Sequence, residues 1–226
     1  MRQRKVRNLE EKMLEVSGFL VEEPGPERWT EVFPGQREAQ AQRIHRDLYL
    51  EIGCGRGDFL LQQAQEHPEN DYIGIEGQAS VVLRAMEKAA AAGENTAGGA
   101  LPNLRFVCAF VNSMEELFQP GSLSGIYLNF SDPWPKSRHA KRRLTYRDRL
   151  QDYARALRSG GFIAVKTDND ALFDFTLEEI EFCGWTPEEM SRDLHASQLP
   201  ARLVMTEYEK KFRAAGKNIN YVKVTV

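Results

Sequence analysis

From Leu48 onward, short apolar runs alternate with longer stretches in which apolar residues recur every three or four positions. The runs "LYLEI", "YIGIE", "LRFVCA", "GIYLNF" and "FIAVKT" read as strands, and the intervening segments predict helices at about 57–67, 78–92, 144–158 and 170–183. Strand and helix in alternation imply a parallel α/β sheet covered on both faces. The tail "NINYVKVTV" has period two and predicts a late antiparallel strand. Upstream, Leu9–Leu20 is amphipathic and "EEPGPERW" is a Pro/Gly break, so residues 1–47 read as an N-terminal basic arm and linker, and 48–226 as one domain. Between the second helix and third strand, "AAAAGENTAGGALPN" reads as a frayed helix end and a flexible loop.

Length and composition agree with one well-buried domain: 226 residues, 42% of them hydrophobic. No apolar run approaches the roughly 18 residues of a membrane span, and the N-terminus "MRQRKVRNLEEKML" has no apolar signal core. A cytoplasmic protein without membrane contact is expected, and no obligatory protein partner is evident. Cys54, Cys108 and Cys183 are widely spaced and form no CxxC, which predicts buried thiols and neither a disulfide framework nor a metal site.

Charge distribution says more than its sum. The net charge is −3, yet Lys136–Arg149 holds seven Lys or Arg against one Asp. "MRQRKVR" adds a second basic cluster. Two such clusters on an otherwise acidic chain point to a polyanion-binding face.

"LYLEIGCGRGDFLLQQA" sets Gly53, Gly55 and Gly57 between a strand and a helix, where backbone amides can approach a ligand closely. A second strand ends in Glu76 about 20 residues on, placed to accept both ribose hydroxyls of a nucleoside. A P-loop is excluded, because no Gly-Lys-Ser/Thr follows. A dinucleotide and S-adenosylmethionine both remain. Glu51 before the glycines and Asp58 after them would oppose a pyrophosphate but suit a sulfonium and an ammonium, which favours the methyl donor.

"GIYLNFSDPWPK" places Asp132 just past a strand's carboxyl end, where open α/β sheets bind ligands. Asp-Pro also opens turns, and Trp134 can pack as well as stack on a base. Here the chain resembles the bacterial tRNA (guanine-N7-)-methyltransferase family. "EIGCGRG", "YIGIE", "YLNFSDPWPKSRHAKRRL", "KTDN" and "TEYEKKF" occur in the family's order, from about Leu48 to the C-terminus.

The resemblance implies a Rossmann-like class I methyltransferase fold, a mostly parallel seven-stranded sheet with a late antiparallel strand. It implies methylation of guanine N7 in tRNA, at guanine 46 of the variable loop, with S-adenosylmethionine as donor and no metal. Glu51, Gly53, Gly55 and Glu76 match donor contacts, and Asn112 stands where the family commonly has Asp. Asp132 matches the catalytic aspartate beside the donor, and Lys136 a substrate-binding lysine. Asp168 and the run Thr206, Glu207, Tyr208 and Glu209 match further substrate positions. Arg138, Lys141, Arg142 and Arg143 are expected to hold RNA phosphates. Asp168 with Asn169 could instead cap the helix that follows the fifth strand, and Thr206 with Glu209 could form a capping box. The alternatives are an amino-group methyltransferase on another nucleic acid and, further away, a dinucleotide-dependent oxidoreductase.

Overall fold

The computed structural model describes residues 6–42, 46–94 and 101–226. The first five residues of the basic N-terminal cluster and positions 95–100 of the glycine-alanine loop lie outside the described residues. Three helices precede the sheet: α1 (Leu9–Glu15), α2 (Arg28–Val32) and α3 (Pro34–Gln42). Then follow β1 (Leu48–Ile52), α4 (Asp58–Glu66), β2 (Asp71–Glu76), α5 (Ala79–Glu94), β3 (Leu104–Cys108) and β4 (Leu123–Asn129). The second half comprises α6 (Arg147–Ala156), β5 (Leu157–Thr167), α7 (Asp170–Phe182), β6 (Pro187–Ser191), α8 (Glu207–Ala214) and β7 (Asn220–Thr225).

One seven-stranded sheet runs β3-β2-β1-β4-β5-β7-β6. β1 pairs in parallel with both β2 and β4, so strand order reverses between β1 and β4. β7 runs antiparallel between β5 and β6, as the period-two tail predicts. β6 is an edge strand of sequence PEEMS with alternating half-buried and exposed positions, which explains why no apolar run marks it.

The parallel strands carry near-continuous burial because apolar layers cover both faces. One layer joins the sheet to Leu150 and Tyr153 of α6 and Phe173 and Ile180 of α7. The other joins Phe59 and Leu60 of α4 to Val82 and Met86 of α5. The segment read as arm and linker contributes to both layers. Met13, Val16, Phe19 and Leu20 pack beside α5, and the Val21 amide donates to the Phe106 carbonyl at 2.9 Å, covering the β3 edge. Trp29 is buried, stacks on Phe118 at 5.1 Å and donates its indole N–H to the Leu117 carbonyl at 2.7 Å. A tryptophan this committed holds the Pro/Gly-broken segment on the domain.

The 144–158 helix begins later than expected, at Arg147, because Ser137–Arg142 forms a 3-10 helix before it, and β5 takes over at Leu157. Burial also differs among the cysteines. Cys54 is buried, but Cys183 is half-buried and Cys108, at the end of edge strand β3, is exposed. No helix among the described residues is long and apolar enough to cross a membrane.

Candidate active site at the strand-order reversal

The glycine loop leaves β1 at the reversal, with Gly53, Gly55 and Gly57 at φ of 75°, 56° and 73°. Only glycine adopts this left-handed backbone without a steric penalty. The Gly53 amide donates to the Ile75 carbonyl at 2.8 Å, tying the loop to β2. At Gly57 a Cβ would lie 2.9 Å from the Ala85 Cβ and 3.1 Å from the Phe106 ring, so its absence lets α4 approach the sheet and α5. Around Gly53 and Gly55 a Cβ would meet nothing within 4 Å, leaving room for a ligand against the backbone.

This room is a cavity of about 70 Å³ lined by Glu51, Gly53–Arg56, Asp58, Phe59, Asn129, Phe130 and Thr206–Tyr208. Two of its acids differ in what holds them. Asp58 is paired with Lys88 of α5 at 2.6 Å, so the charge expected to meet a ligand there is already compensated. Glu51 is buried, accepts from the Asn129 amide at 2.8 Å through Oε1, and leaves Oε2 buried with no partner. Burial pushes its carboxyl up to about 8, against the pull of Asn129 and of Lys166. An orphaned carboxylate oxygen facing a cavity is a waiting acceptor for a cationic donor.

Lys166, on β5, is buried with its ammonium between the Ala201 and Val204 carbonyls at 2.6 and 2.8 Å and both Glu209 oxygens at 3.1–3.2 Å. Burial lowers its pKa, while Glu209 raises it in opposition. His195 Nε2 lies 3.0 Å from Glu209 Oε1 without hydrogen-bond alignment. Glu209 also completes a capping box: its amide donates to Thr206 Oγ1 at 2.9 Å, and the Thr206 amide donates to Glu209 Oε2 at 3.3 Å. The capping alternative is therefore realised. Glu209 is fully buried and serves as an anchor for the start of α8, where the resemblance had implied a substrate contact. Glu207 and Tyr208, by contrast, face the cavity, and Glu207 reaches Arg56 of the glycine loop at 3.3 Å.

Beyond β4 the chain takes an unusual path. Phe130 and Trp134 have φ of 53° and 40°, and a bulky residue in the left-handed region costs about 1–3 kcal/mol. Asp132, between them, is exposed. Phe130 stacks on Phe212 of α8 at 5.9 Å, and Phe212 on Tyr208 at 6.4 Å, forming an aromatic shelf beside the cavity. Lys136, Arg138, Lys141 and Arg142 are exposed on and beside the 3-10 helix. Arg143 is not: its guanidinium donates to the Pro133 and Trp134 carbonyls, so the expected phosphate contact is turned inward.

The remaining expected residues surround the same end of the sheet without lining the cavity. Glu76 closes β2 and accepts from the Gln78 amide at 3.0 Å. Asn112 follows β3 in the loop after the exposed Phe110. Asp168, past β5, pairs with Lys217 at 3.1 Å, while Asn169 caps α7 by accepting from the Leu172 amide at 2.8 Å. Sequence reasoning did not single out Asn129, Lys166 or His195. The first two lie inside quoted motifs, but only the fold shows that they face Glu51 and Glu209. Among the described residues, no group of three His, Cys, Asp or Glu side chains could hold a metal.

Comparison with known proteins sets this geometry in context. A family model described as "Putative methyltransferase" matches residues 45–222. A tRNA (guanine-N(7)-)-methyltransferase of Brevibacillus brevis is 43% identical over 178 residues, 79% of this chain and 80% of the relative. One of the same description from Lachnoclostridium phytofermentans is 40% identical over 204 residues, 89% and 88% of the two chains. Among solved structures, the 16S rRNA methyltransferase KamB superposes with a TM-score of 0.62 at 16% identity, over 91% of this chain and 99% of that one. A SAM-dependent methyltransferase of Aquifex aeolicus gives 0.53 at 12% identity, over 98% and 100%. Likeness at such low identity speaks for the fold, and the fold is that of class I S-adenosylmethionine-dependent methyltransferases.

Proposed function

Because the chain belongs to the tRNA (guanine-N(7)-)-methyltransferase family, we propose that it methylates guanine N7 in tRNA, at guanine 46 of the variable loop, using S-adenosylmethionine. The observation that carries the reading is the cavity at the strand-order reversal, with an orphaned carboxylate oxygen and open backbone around Gly53 and Gly55. Those features fit the donor: it is cationic and has no phosphate to be repelled by Glu51. Glu51, Gly53 and Gly55 would hold it, with Glu76 and Asn112 on its nucleoside side. When bound, it supplies an electrophilic methyl group on a sulfonium.

Guanine N7 carries an in-plane lone pair and no proton, so no residue need act as a base before transfer. Positioning and electrostatics carry the rate. Asp132, exposed at the end of β4, accepts hydrogen bonds from the base or stabilises the positive charge that develops on its imidazole ring. Lys136, Asp168, Thr206, Glu207 and Tyr208 surround the substrate. Phe130, Phe212 and Tyr208 offer stacking surface for a base displaced from its own stack.

Glu51 predicts a pH dependence. Its carboxyl is pushed up to about 8, so the donor-free protein holds an extra proton between the ordinary 4.5 and about 8. Stability without donor should therefore fall as pH rises through that window. Donor binding needs the carboxylate, so affinity should climb about tenfold per pH unit toward 8 and level off above it. Calorimetric titrations from pH 6 to 9 check this, and Glu51→Gln should bind weakly with a flat profile.

Exposed Lys136, Arg138, Lys141 and Arg142 should position tRNA through phosphates. Removing three of them should weaken tRNA binding and reduce the slope of log affinity against log salt by about two to three. Unchanged binding in a salt titration would refute that role. The function itself is tested by offering labelled S-adenosylmethionine and unmodified tRNA: label should enter the tRNA, and calorimetry should show binding of this donor and none of NAD.

A further inference from the structure

Arg143 ends the run Lys141–Arg143 within the basic block, yet its side chain is partly buried and turned onto the backbone. Its Nε donates to the Pro133 carbonyl at 2.9 Å and its Nη2 to the Trp134 carbonyl at 3.1 Å. The guanidinium carbon sits 4.2 Å from the centre of the Phe175 ring, on α7. Two successive carbonyls are thus bound by one planar fork that is itself backed by an aromatic face. A lysine ammonium keeps the charge but has neither the fork nor the plane. The neighbour Arg142 behaves differently: it is exposed and lies 4.9 Å over the Trp134 ring.

The segment held in this way needs holding. Trp134 precedes Pro135, a position that favours extended backbone, but it adopts φ of 40°. Such a conformation persists only where surrounding contacts over-determine it. The Phe130 amide, donating to the Lys166 carbonyl at 2.8 Å, fixes the entry to the loop, and Arg143 fixes the exit. Asp132 lies between those two anchors.

We propose that Arg143, backed by Phe175, is a positioning residue: it sets the Pro133–Trp134 backbone and thereby the place of the Asp132 carboxylate, and it is not a phosphate contact. The proposal rests on the tRNA-methylation reading, and its test separates the two. Arg143→Lys preserves the charge, so a phosphate role predicts near-normal turnover and a positioning role predicts its loss. Expected for Arg143→Lys is a single-turnover rate about 10- to 100-fold lower at saturating tRNA and donor. Its tRNA affinity and salt slope should match the wild type. Phe175→Leu should shift the rate in the same direction by less. Arg138→Ala, the phosphate control, should instead reduce the salt slope by about one.

Calorimetric donor binding checks that each variant keeps its fold, and Phe175→Leu carries the test if Arg143→Lys does not. A readout without activity is amide hydrogen exchange across 130–136, which should rise in both variants. Wild-type rate and wild-type exchange in Arg143→Lys would overturn the proposal, as would a reduced salt slope in Arg143→Gln. Failure of the wild type itself to methylate tRNA would sink the functional reading, while faster exchange in Arg143→Lys would still uphold the clamp.

Discussion

Replacing Asp132 with Asn is expected to lower the single-turnover methylation rate by about a hundred- to a thousandfold while leaving donor affinity within about threefold of wild type. The magnitude is that of removing one preorganised group aimed at charge that develops in the transition state. Asn keeps the shape and a carbonyl acceptor but loses the negative charge, so the loss reports electrostatics in particular. Donor binding should survive because Asp132 is exposed and is not among the residues lining the cavity around Glu51 and the glycines. Asp132→Ala should cost at least as much. An unchanged rate in rapid-quench experiments with saturating tRNA would remove Asp132 from the chemistry.

The second large effect concerns folding. Lys166→Met should cost about 3–5 kcal/mol of stability, because it leaves the Glu209 carboxylate buried without its cation. It also strips the Ala201 and Val204 carbonyls of their donor. For a chain of this size each kcal/mol shifts Tm by about 2–4 °C, so a fall of roughly 6–20 °C should appear in calorimetry. Lys166→Met combined with Glu209→Leu should recover part of the loss, since removing both charges is far less costly than removing one. A single variant as stable as the wild type would show that the pair is not what anchors α8. The anchor matters for function because Glu207 and Tyr208, one and two residues after the Thr206 cap, face the cavity.

How far the sequence was legible follows from what each signal encodes. Parallel strands buried on both faces are written as dense apolar runs, so β1 to β5 could be read from pattern alone. β6 could not, because an edge strand exposed on one side needs no apolar run, and PEEMS has none. "EEPGPERW" looks like a linker by its glycine and prolines. Only the fold shows Trp29 buried and bonded to Leu117 across the molecule. At the site, Glu51 and Gly53–Gly57 were legible because a strand, a glycine turn and a helix are contiguous in sequence. The pairing of Asn129 with Glu51, and that of Lys166 and His195 with Glu209, were not, since the partners lie on different elements and meet only when the sheet closes. Arg143 carries the same lesson at short range. Composition groups it with the other arginines of the basic block, but the path of the chain after β4 turns it onto two carbonyls. The nature of the methylated atom came only from resemblance to a known family, because charge and cavity alone describe a cationic cofactor and a polyanion.

The most direct test of the central claim is to map the methyl group on the product. Unmodified tRNA, incubated with the protein and labelled S-adenosylmethionine, should yield a single N7-methylated guanine at position 46, located by scission specific for that base. Label on an exocyclic amine, on another base, or on no tRNA at all would contradict the account.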